Sequence, residues 1–193
     1  MAGGIDYMRI ISGKLKGKKI FFLKNINTRP LKDSVKENIF NIIFHSNLLD
    51  IRIEDSDVLD LYSGVGSFGL EAFSRGARNV TFIDKNREAI ETLKKNITNL
   101  GIRINVTLIE DEIANFLKRS TSKFDLIFLD PPFKENSFLN DLENIKKRKI
   151  YKKKHFIIIH RERKTQENFD GLLNPILIKY YGRSKIIFGK ISN

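Results

Sequence analysis

The sequence predicts an α/β fold: a doubly wound, mostly parallel sheet with helices on both faces. Three observations predict it. From Asp57 onward, short apolar runs suited to strands alternate with helical patterns. A glycine-rich turn follows the first of those runs. The run Phe124–Leu129 is largely apolar, as a strand covered on both faces would be.

The elements follow in order. Met8–Ser12 and Lys18–Phe22 read as a hairpin around the Gly13 and Gly17 turns. A polar loop, Lys24–Lys32, comes next, and Asp33 is placed to cap a helix over Ser34–Ser46. Val35, Ile39, Ile42 and Ile43 share one face of that helix. Val58–Tyr62 is then a strand, Ser67–Ser74 a helix stopped at Gly76, and Val80–Ile83 a strand. Asn86–Asn99 is a helix ending near Gly101, followed by strand Ile104–Ile109 and helix Ile113–Lys118. After Phe124–Leu129 come helix Ser137–Lys147 and buried strand Phe156–Ile159. Ile176–Tyr181 and Lys185–Phe188 turn at Gly182 and suggest an antiparallel edge. Two segments are expected: a hairpin-and-helix extension over 1–50 that faces the substrate, and the α/β domain over 51–193. Sheets of this kind bind ligands at the carboxyl ends of their strands.

Composition narrows the classes. With 193 residues and 41% hydrophobic content, one core of ordinary size is expected. No run of about 18 apolar residues suggests a membrane span. Met1 to Arg9 lacks the apolar stretch of a secretion signal. There are no cysteines, which removes disulfides, thiolate metal sites and a cysteine nucleophile. His45, His155 and His160 lack metal-ligand spacing, so no metal is expected. A cytoplasmic monomer is expected. The net charge of +12 is uneven: residues 1–50 carry +5, residues 51–130 carry −2, and residues 131–193 carry +9. Basic flanks around a slightly acidic centre suit a polyanion, although AT-rich codon usage also favours Lys, Ile and Asn.

The glycine turn reads Asp60-Leu61-Tyr62-Ser63-Gly64-Val65-Gly66-Ser67-Phe68-Gly69. Glycines permit a tight turn and close approach of backbone to ligand. Gly64, Gly66 and Gly69 spell the G-x-G-x-x-G of dinucleotide sites. Asp60 argues against that ligand, because a carboxylate there repels a pyrophosphate. It suits the cationic methionine end of S-adenosylmethionine. Asp84 ends the next strand, 18 residues after Gly66, where it can accept from both ribose hydroxyls. Asp111 and Glu112 follow the third strand. One of them accepts from the adenine amine, or both cap the next helix; the sequence does not choose. The expected cofactor residues are Asp60, Tyr62, Ser63, Gly64, Gly66, Ser67, Asp84, Asp111 and Glu112.

Asp130-Pro131-Pro132-Phe133 follows the buried strand. Two prolines fix the backbone and remove amide donors, so acceptors remain: the Asp130 carboxylate and the prolyl carbonyls. An exocyclic amine on a base is a poor nucleophile, because its lone pair is delocalised. Acceptors on both amine protons hold the nitrogen and aim that lone pair. Phe133 offers a face for a base that has left its stack. In-line methyl transfer would rest on positioning and electrostatics. Arg9, Lys14, Lys16, Lys18, Arg29, Lys32 and Lys36 are candidates to grip phosphates; Arg9, Lys18, Arg29 and Lys36 are the substrate residues expected. Lys146–Lys149 with Lys152–Lys154 forms a second basic cluster.

At these residues the chain resembles the bacterial guanine-N2 methyltransferases of small-subunit (16S) ribosomal RNA. Met8-Arg9-Ile10-Ile11-Ser12-Gly13 and Gly17-Lys18-Lys19-Ile20 resemble that family's opening hairpin. Arg29-Pro30 through Asp33, Val35-Lys36-Glu37 and Phe40-Asn41 resemble its next segment. Gly69-Leu70-Glu71-Ala72 and Ser74-Arg75-Gly76-Ala77 resemble the helix after its glycine loop, and Asp130-Pro131-Pro132-Phe133 its catalytic tetrapeptide. The resemblance implies a Rossmann-like class I methyltransferase fold with a seven-stranded, mostly parallel sheet. It also implies S-adenosylmethionine as methyl donor and a small-subunit assembly particle as partner. Tyr62 and Ser63 depart mildly from the usual loop, and Leu31 replaces a hydroxyl residue. Where a glutamate is usual after the fifth strand, this chain reads His160-Arg161, with Glu162 displaced. The competing readings are an adenine-N6 or cytosine-N4 DNA methyltransferase, a non-catalytic RNA-binding protein on the same fold, and an NAD-dependent dehydrogenase.

Overall fold

The computed structural model describes residues 6–22, 31–132 and 137–192. Arg29 and Phe133, both expected at the site, lie outside them. In chain order the elements are β1 (Asp6–Arg9), β2 (Lys19–Phe22), α1 (Asp33–His45), β3 (Asp57–Leu61), α2 (Ser67–Ser74), β4 (Asn79–Asp84) and α3 (Arg87–Asn99). They continue with β5 (Val106–Glu110), α4 (Ile113–Arg119), β6 (Phe124–Leu129), α5 (Phe138–Arg148), β7 (Tyr151–Glu162), β8 (Leu173–Tyr181) and β9 (Ser184–Ile191).

β1 and β2 form a two-stranded antiparallel sheet. The other seven strands form one sheet in the order β5-β4-β3-β6-β7-β9-β8. β5 to β7 are mutually parallel, and β9 runs antiparallel to β7 and β8. The chain steps outward from β3 to β5, then crosses back to place β6 on the other side of β3. That reversal makes a crevice at the carboxyl ends of β3 and β6.

Strand alternation explains the layers. Val58, Val80, Phe82, Leu126, Phe128, Phe156 and Ile158 face a core shared with α1, α2 and α3. Leu59, Leu61, Ile83, Ile127, Leu129, Ile157 and Ile159 face a second core with α4 and α5. A central strand therefore needs apolar side chains at nearly every position, which is why 124–129 reads as a continuous run.

The N-terminal segment joins the first core through Ile10, Ile20, Leu31, Val35 and Ile39. A buried carboxylate also latches it. Glu71 on α2 accepts from the Ile11 and Ser12 amides at 2.7 and 3.0 Å and from Arg75 Nε at 2.7 Å, and lies 3.8 Å from Lys36 Nζ. Glu71 and Lys36 are both fully buried. Removing one partner of a buried pair costs about 3–5 kcal/mol. Glu71→Ala should lower stability by about that amount in urea unfolding and speed hydrogen exchange at the Ile11 and Ser12 amides.

Several boundaries differ from expectation: β1 spans Asp6–Arg9, β8 begins at Leu173 and β9 runs on to Ile191, and three further differences have a physical reason. β7 begins at Tyr151, so Lys152–Lys154 lie within a strand. Its first four residues are less buried than those that follow, and Asp57, Asp125 and Asp50 receive Lys152 and Lys154 there. Ile104 is 71% exposed and outside β5, which begins at Val106 after the left-handed Asn105. Asp33 makes no capping bond and is instead the first residue of α1, near Arg9 and Lys36.

Candidate active site

The glycine turn leaves β3 under visible constraint. Tyr62 has φ of 59°, a left-handed conformation that costs a non-glycine residue on the order of 1 kcal/mol. Its hydroxyl donates to Asp141 Oδ2 at 2.6 Å, which ties the turn to α5. The three glycines serve different needs. At Gly64, φ is 53° and a Cβ would meet open space, so this is where a ligand can approach the backbone. At Gly66 a Cβ would lie 2.4 Å from Leu93, and at Gly69 2.3 Å from Phe82. Gly66 lets the turn pack close to Leu93 of α3, and Gly69 lets α2 pack close to β4. Asn96 of α3 supports the turn from behind, donating to the carbonyls of Val65 at 3.2 Å and Phe21 at 3.1 Å.

Acids crowd the carboxyl ends of neighbouring strands. Asp60 is 1% exposed, and its Oδ2 accepts from the Gly69 amide at 2.9 Å. Burial pushes the Asp60 carboxyl well above the usual range; the Gly69 bond opposes this, and the charges of Asp130 and Asp84 add to it. Asp84 accepts from the Gly64 amide at 2.7 Å and the Asn86 amide at 2.9 Å, one on each oxygen. Each oxygen keeps a second lone pair for a ribose hydroxyl. Ser63 Oγ is buried and has no hydrogen-bond partner among the described residues. Such a group costs about 1–3 kcal/mol, which a ligand could relieve. Ser67 Oγ lies 3.2 Å from Lys36 Nζ, so it already has a protein partner. Asp111 is taken up by its own helix, accepting from the Glu112 amide, Asn115 and Arg119. Glu112 has a 3.4 Å pairing with exposed Lys85, making it the freer carboxylate for an adenine amine. Buried Ser63 Oγ, open space at Gly64, spare lone pairs on Asp84 and nearby acids together fit a cationic ligand with a ribose. A pyrophosphate would meet those same acids.

The catalytic candidate follows β6. The Asp130 amide approaches the Leu61 carbonyl at 3.4 Å, which sets the two turns side by side. Asp130 Oδ1 lies 2.8 Å from His160 Nδ1, and the Asp130 side chain is 21% exposed. Arg161 Nη1 donates to the Pro132 carbonyl at 3.1 Å. Arg161 is fully buried, pairs with Glu167 at 3.1 Å and lies over the Phe138 ring. Of the two prolyl carbonyls expected to serve a substrate, the Pro132 carbonyl is therefore engaged by the protein. Among the described residues, no hydrogen bond reaches the Pro131 carbonyl or Asp130 Oδ2. Sequence reasoning does not place His160 and Arg161 here. Their sequence signal is the departure after the fifth strand, and the groups they hold in this loop, Asp130 and Pro132, lie 30 and 29 residues away.

The expected substrate residues separate. Arg9 is 73% exposed and Lys18 is exposed. Lys36 corrects the expectation that it grips a phosphate: it is fully buried, and its ammonium donates to the Arg9 carbonyl at 3.1 Å and to Ser67. Burial lowers its pKa, against the fields of Glu71 and Asp33. Nor does the second basic cluster border the crevice. Lys152 bridges Asp57 and Asp125 at 2.5 and 2.6 Å, and Lys154 pairs with Asp50, at the amino ends of the strands.

The sheet order, the glycine turn and the Asp130 loop define a class I methyltransferase. A solved chain from Haemophilus influenzae, HI0767, superposes with a TM-score of 0.76 at 26% identity, covering 97% of this chain and 100% of that one. The ribosomal protein L11 methylase of Lactobacillus delbrueckii superposes at 0.63 with 15% identity over 80% of this chain and 76% of that one, a likeness of fold alone. The family model described as "Conserved hypothetical protein 95" matches residues 8–190, and the chain belongs to that family. It is 33% identical over 189 residues to "Ribosomal RNA small subunit methyltransferase D" of Buchnera aphidicola subsp. Baizongia pistaciae, covering 98% of this chain and 93% of that one. It is 36% identical over 156 residues to the protein of the same name from Buchnera aphidicola subsp. Acyrthosiphon pisum, covering 80% and 78%. Among the described residues, no helix is long and apolar enough to cross a membrane.

Proposed function

We propose that this protein transfers a methyl group from S-adenosylmethionine to the exocyclic N2 amine of a guanine in small-subunit ribosomal RNA. One observation carries the reading. Beside the glycine turn, His160 meets Asp130 Oδ1 and Arg161 holds the Pro132 carbonyl, which supports Asp130 Oδ2 and the Pro131 carbonyl as the acceptors for an amine. The names of the relatives support the polymer and the subunit.

Asp60 and Ser63 would receive the methionine end of the cofactor, Gly64 its close approach, Asp84 the ribose and Glu112 the adenine amine. When bound, S-adenosylmethionine supplies an activated methyl group on a sulfonium leaving group. The protein contributes position. Asp130 Oδ2 and the Pro131 carbonyl would each accept a hydrogen bond from the amine, which fixes the nitrogen and directs its lone pair. The nitrogen becomes cationic as the methyl group passes to it from sulfur and then releases one proton. Phe133 would stack on the base. Residues 1–50 would serve as an RNA-facing extension and 51–193 as the catalytic domain of a cytoplasmic monomer acting on an assembling subunit.

A basic and aromatic surface supports an RNA partner beside the crevice. Arg163, Lys164, Lys179, Tyr180 and Arg183 are exposed, and the Arg163 guanidinium lies 5.3 Å from the Tyr180 ring centre. Arg183 adjoins Ser184, which bonds His160 and through it Asp130. Reversing Lys179 and Arg183 to glutamate should raise KM for RNA and flatten the salt dependence of binding, its slope falling by about 0.7–0.9 for each phosphate no longer neutralised. Affinity for S-adenosylhomocysteine should stay unchanged. The same reversals at Lys147 and Lys153, near the amino end of β7, should do much less. The function itself is tested by offering labelled S-adenosylmethionine with small-subunit RNA or duplex DNA. Label in RNA alone is expected; label in DNA alone would overturn the acceptor.

A further inference from the structure

A carboxylate that accepts a hydrogen bond from an amine works in one orientation, and two oxygens free to rotate would supply many. In this site one oxygen is pinned. His160 Nδ1 lies 2.8 Å from Asp130 Oδ1, and His160 Nε2 lies 2.9 Å from Ser184 Oγ. The His160 side chain is 7% exposed, and β7 and β9 hold its surroundings in antiparallel register. In this geometry Nδ1 can donate to Asp130 Oδ1 while Nε2 accepts from the Ser184 hydroxyl. The ring is thus held at both ends.

We propose that His160, backed by Ser184, is a positioning residue for methyl transfer: it binds Asp130 Oδ1 and leaves Oδ2 to the target amine. The inference rests on reading Asp130 as the amine acceptor. The next residue performs the matching task. Arg161 points to the opposite side of the strand and holds the Pro132 carbonyl. One strand end therefore fixes both the carboxylate and the proline backbone. Groups set before the reaction need no reorganisation during it.

The test compares His160→Ala, His160→Asn and Ser184→Ala with the wild-type protein on whichever RNA it methylates. An asparagine amide nitrogen can stand near the place of Nδ1. His160→Ala should lower kcat by about a hundredfold, the scale of a misplaced reacting group, with KM for RNA and affinity for S-adenosylhomocysteine unchanged. His160→Asn should recover most of that loss, and Ser184→Ala should lose less than His160→Ala. Independently, nitrogen NMR of the wild-type imidazole should show the proton on Nδ1, with that preference lost in Asp130→Ala. Wild-type kcat in His160→Ala, no recovery in His160→Asn, or a proton on Nε2 alone in the wild type would each overturn the proposal. A different methylated nucleoside would overturn the guanine assignment while leaving the kcat comparison intact. Retained turnover in Asp130→Ala would remove the role of Asp130, and this proposal with it.

Discussion

Replacing Asp130 with alanine is expected to abolish methyl transfer while S-adenosylhomocysteine still binds with wild-type affinity. The expected loss in kcat is about a thousandfold, because the protein offers the amine few other fixed acceptors. The Pro131 carbonyl alone holds one proton and leaves the nitrogen free to turn. Cofactor affinity should survive, since Ser63, Gly64 and Asp84 stand on the adjacent turn and strand. Isothermal titration and single-turnover kinetics on the same preparation separate the two effects. Retained turnover would show that the amine is held elsewhere.

Asp60→Asn should produce opposite changes in stability and binding. The Asp60 carboxyl is almost fully buried, and burial, with Asp130 and Asp84 nearby, raises its pKa. In the unfolded chain it ionises near about 3.9. Below that pH both states are protonated and the favourable neutral form is fully present. As pH rises from the unfolded toward the folded value, only the unfolded state ionises freely, so stability is lost across that window. Asparagine keeps an oxygen for the Gly69 amide and cannot ionise. The variant should therefore unfold at a higher temperature than wild type near pH 7, with the advantage shrinking toward pH 4. A cationic ligand end beside Asp60 would favour the charged form, and that gain disappears in the variant. S-adenosylhomocysteine affinity should fall by about tenfold to a hundredfold, the worth of a hydrogen bond to a charged group. Unchanged affinity would remove Asp60 from the cofactor site.

Much of this architecture is legible because local pattern and burial coincide. Val58, Phe82, Leu126 and Ile158 alternate with Leu59, Ile83, Ile127 and Ile159 toward the two cores, and the apolar runs record both faces. Asp60, Asp84 and Asp130 fall at strand ends, where a doubly wound sheet gathers its ligand groups. The illegible parts depend on distant partners. Lys36 shares helix α1 with apolar residues and reads as a surface cation, yet Glu71, 35 residues on, receives it in the core. His160 gains meaning only when β7 sets it against Asp130. Lys152 and Lys154 read as a polyanion patch because sequence does not say which end of a sheet they occupy. Asp57, Asp125 and Asp50 answer them there.

The most direct test of the function is the identity of the methylated nucleoside. Small-subunit RNA, naked or within assembled subunits, would be labelled with the purified protein, digested and resolved by mass spectrometry. The account predicts N2-methylguanosine, with its yield in the two substrates showing whether ribosomal proteins help present the base. Label confined to N6-methyladenosine or N4-methylcytidine would contradict it, because the acceptor pair at Asp130 and Pro131 would then serve a different base.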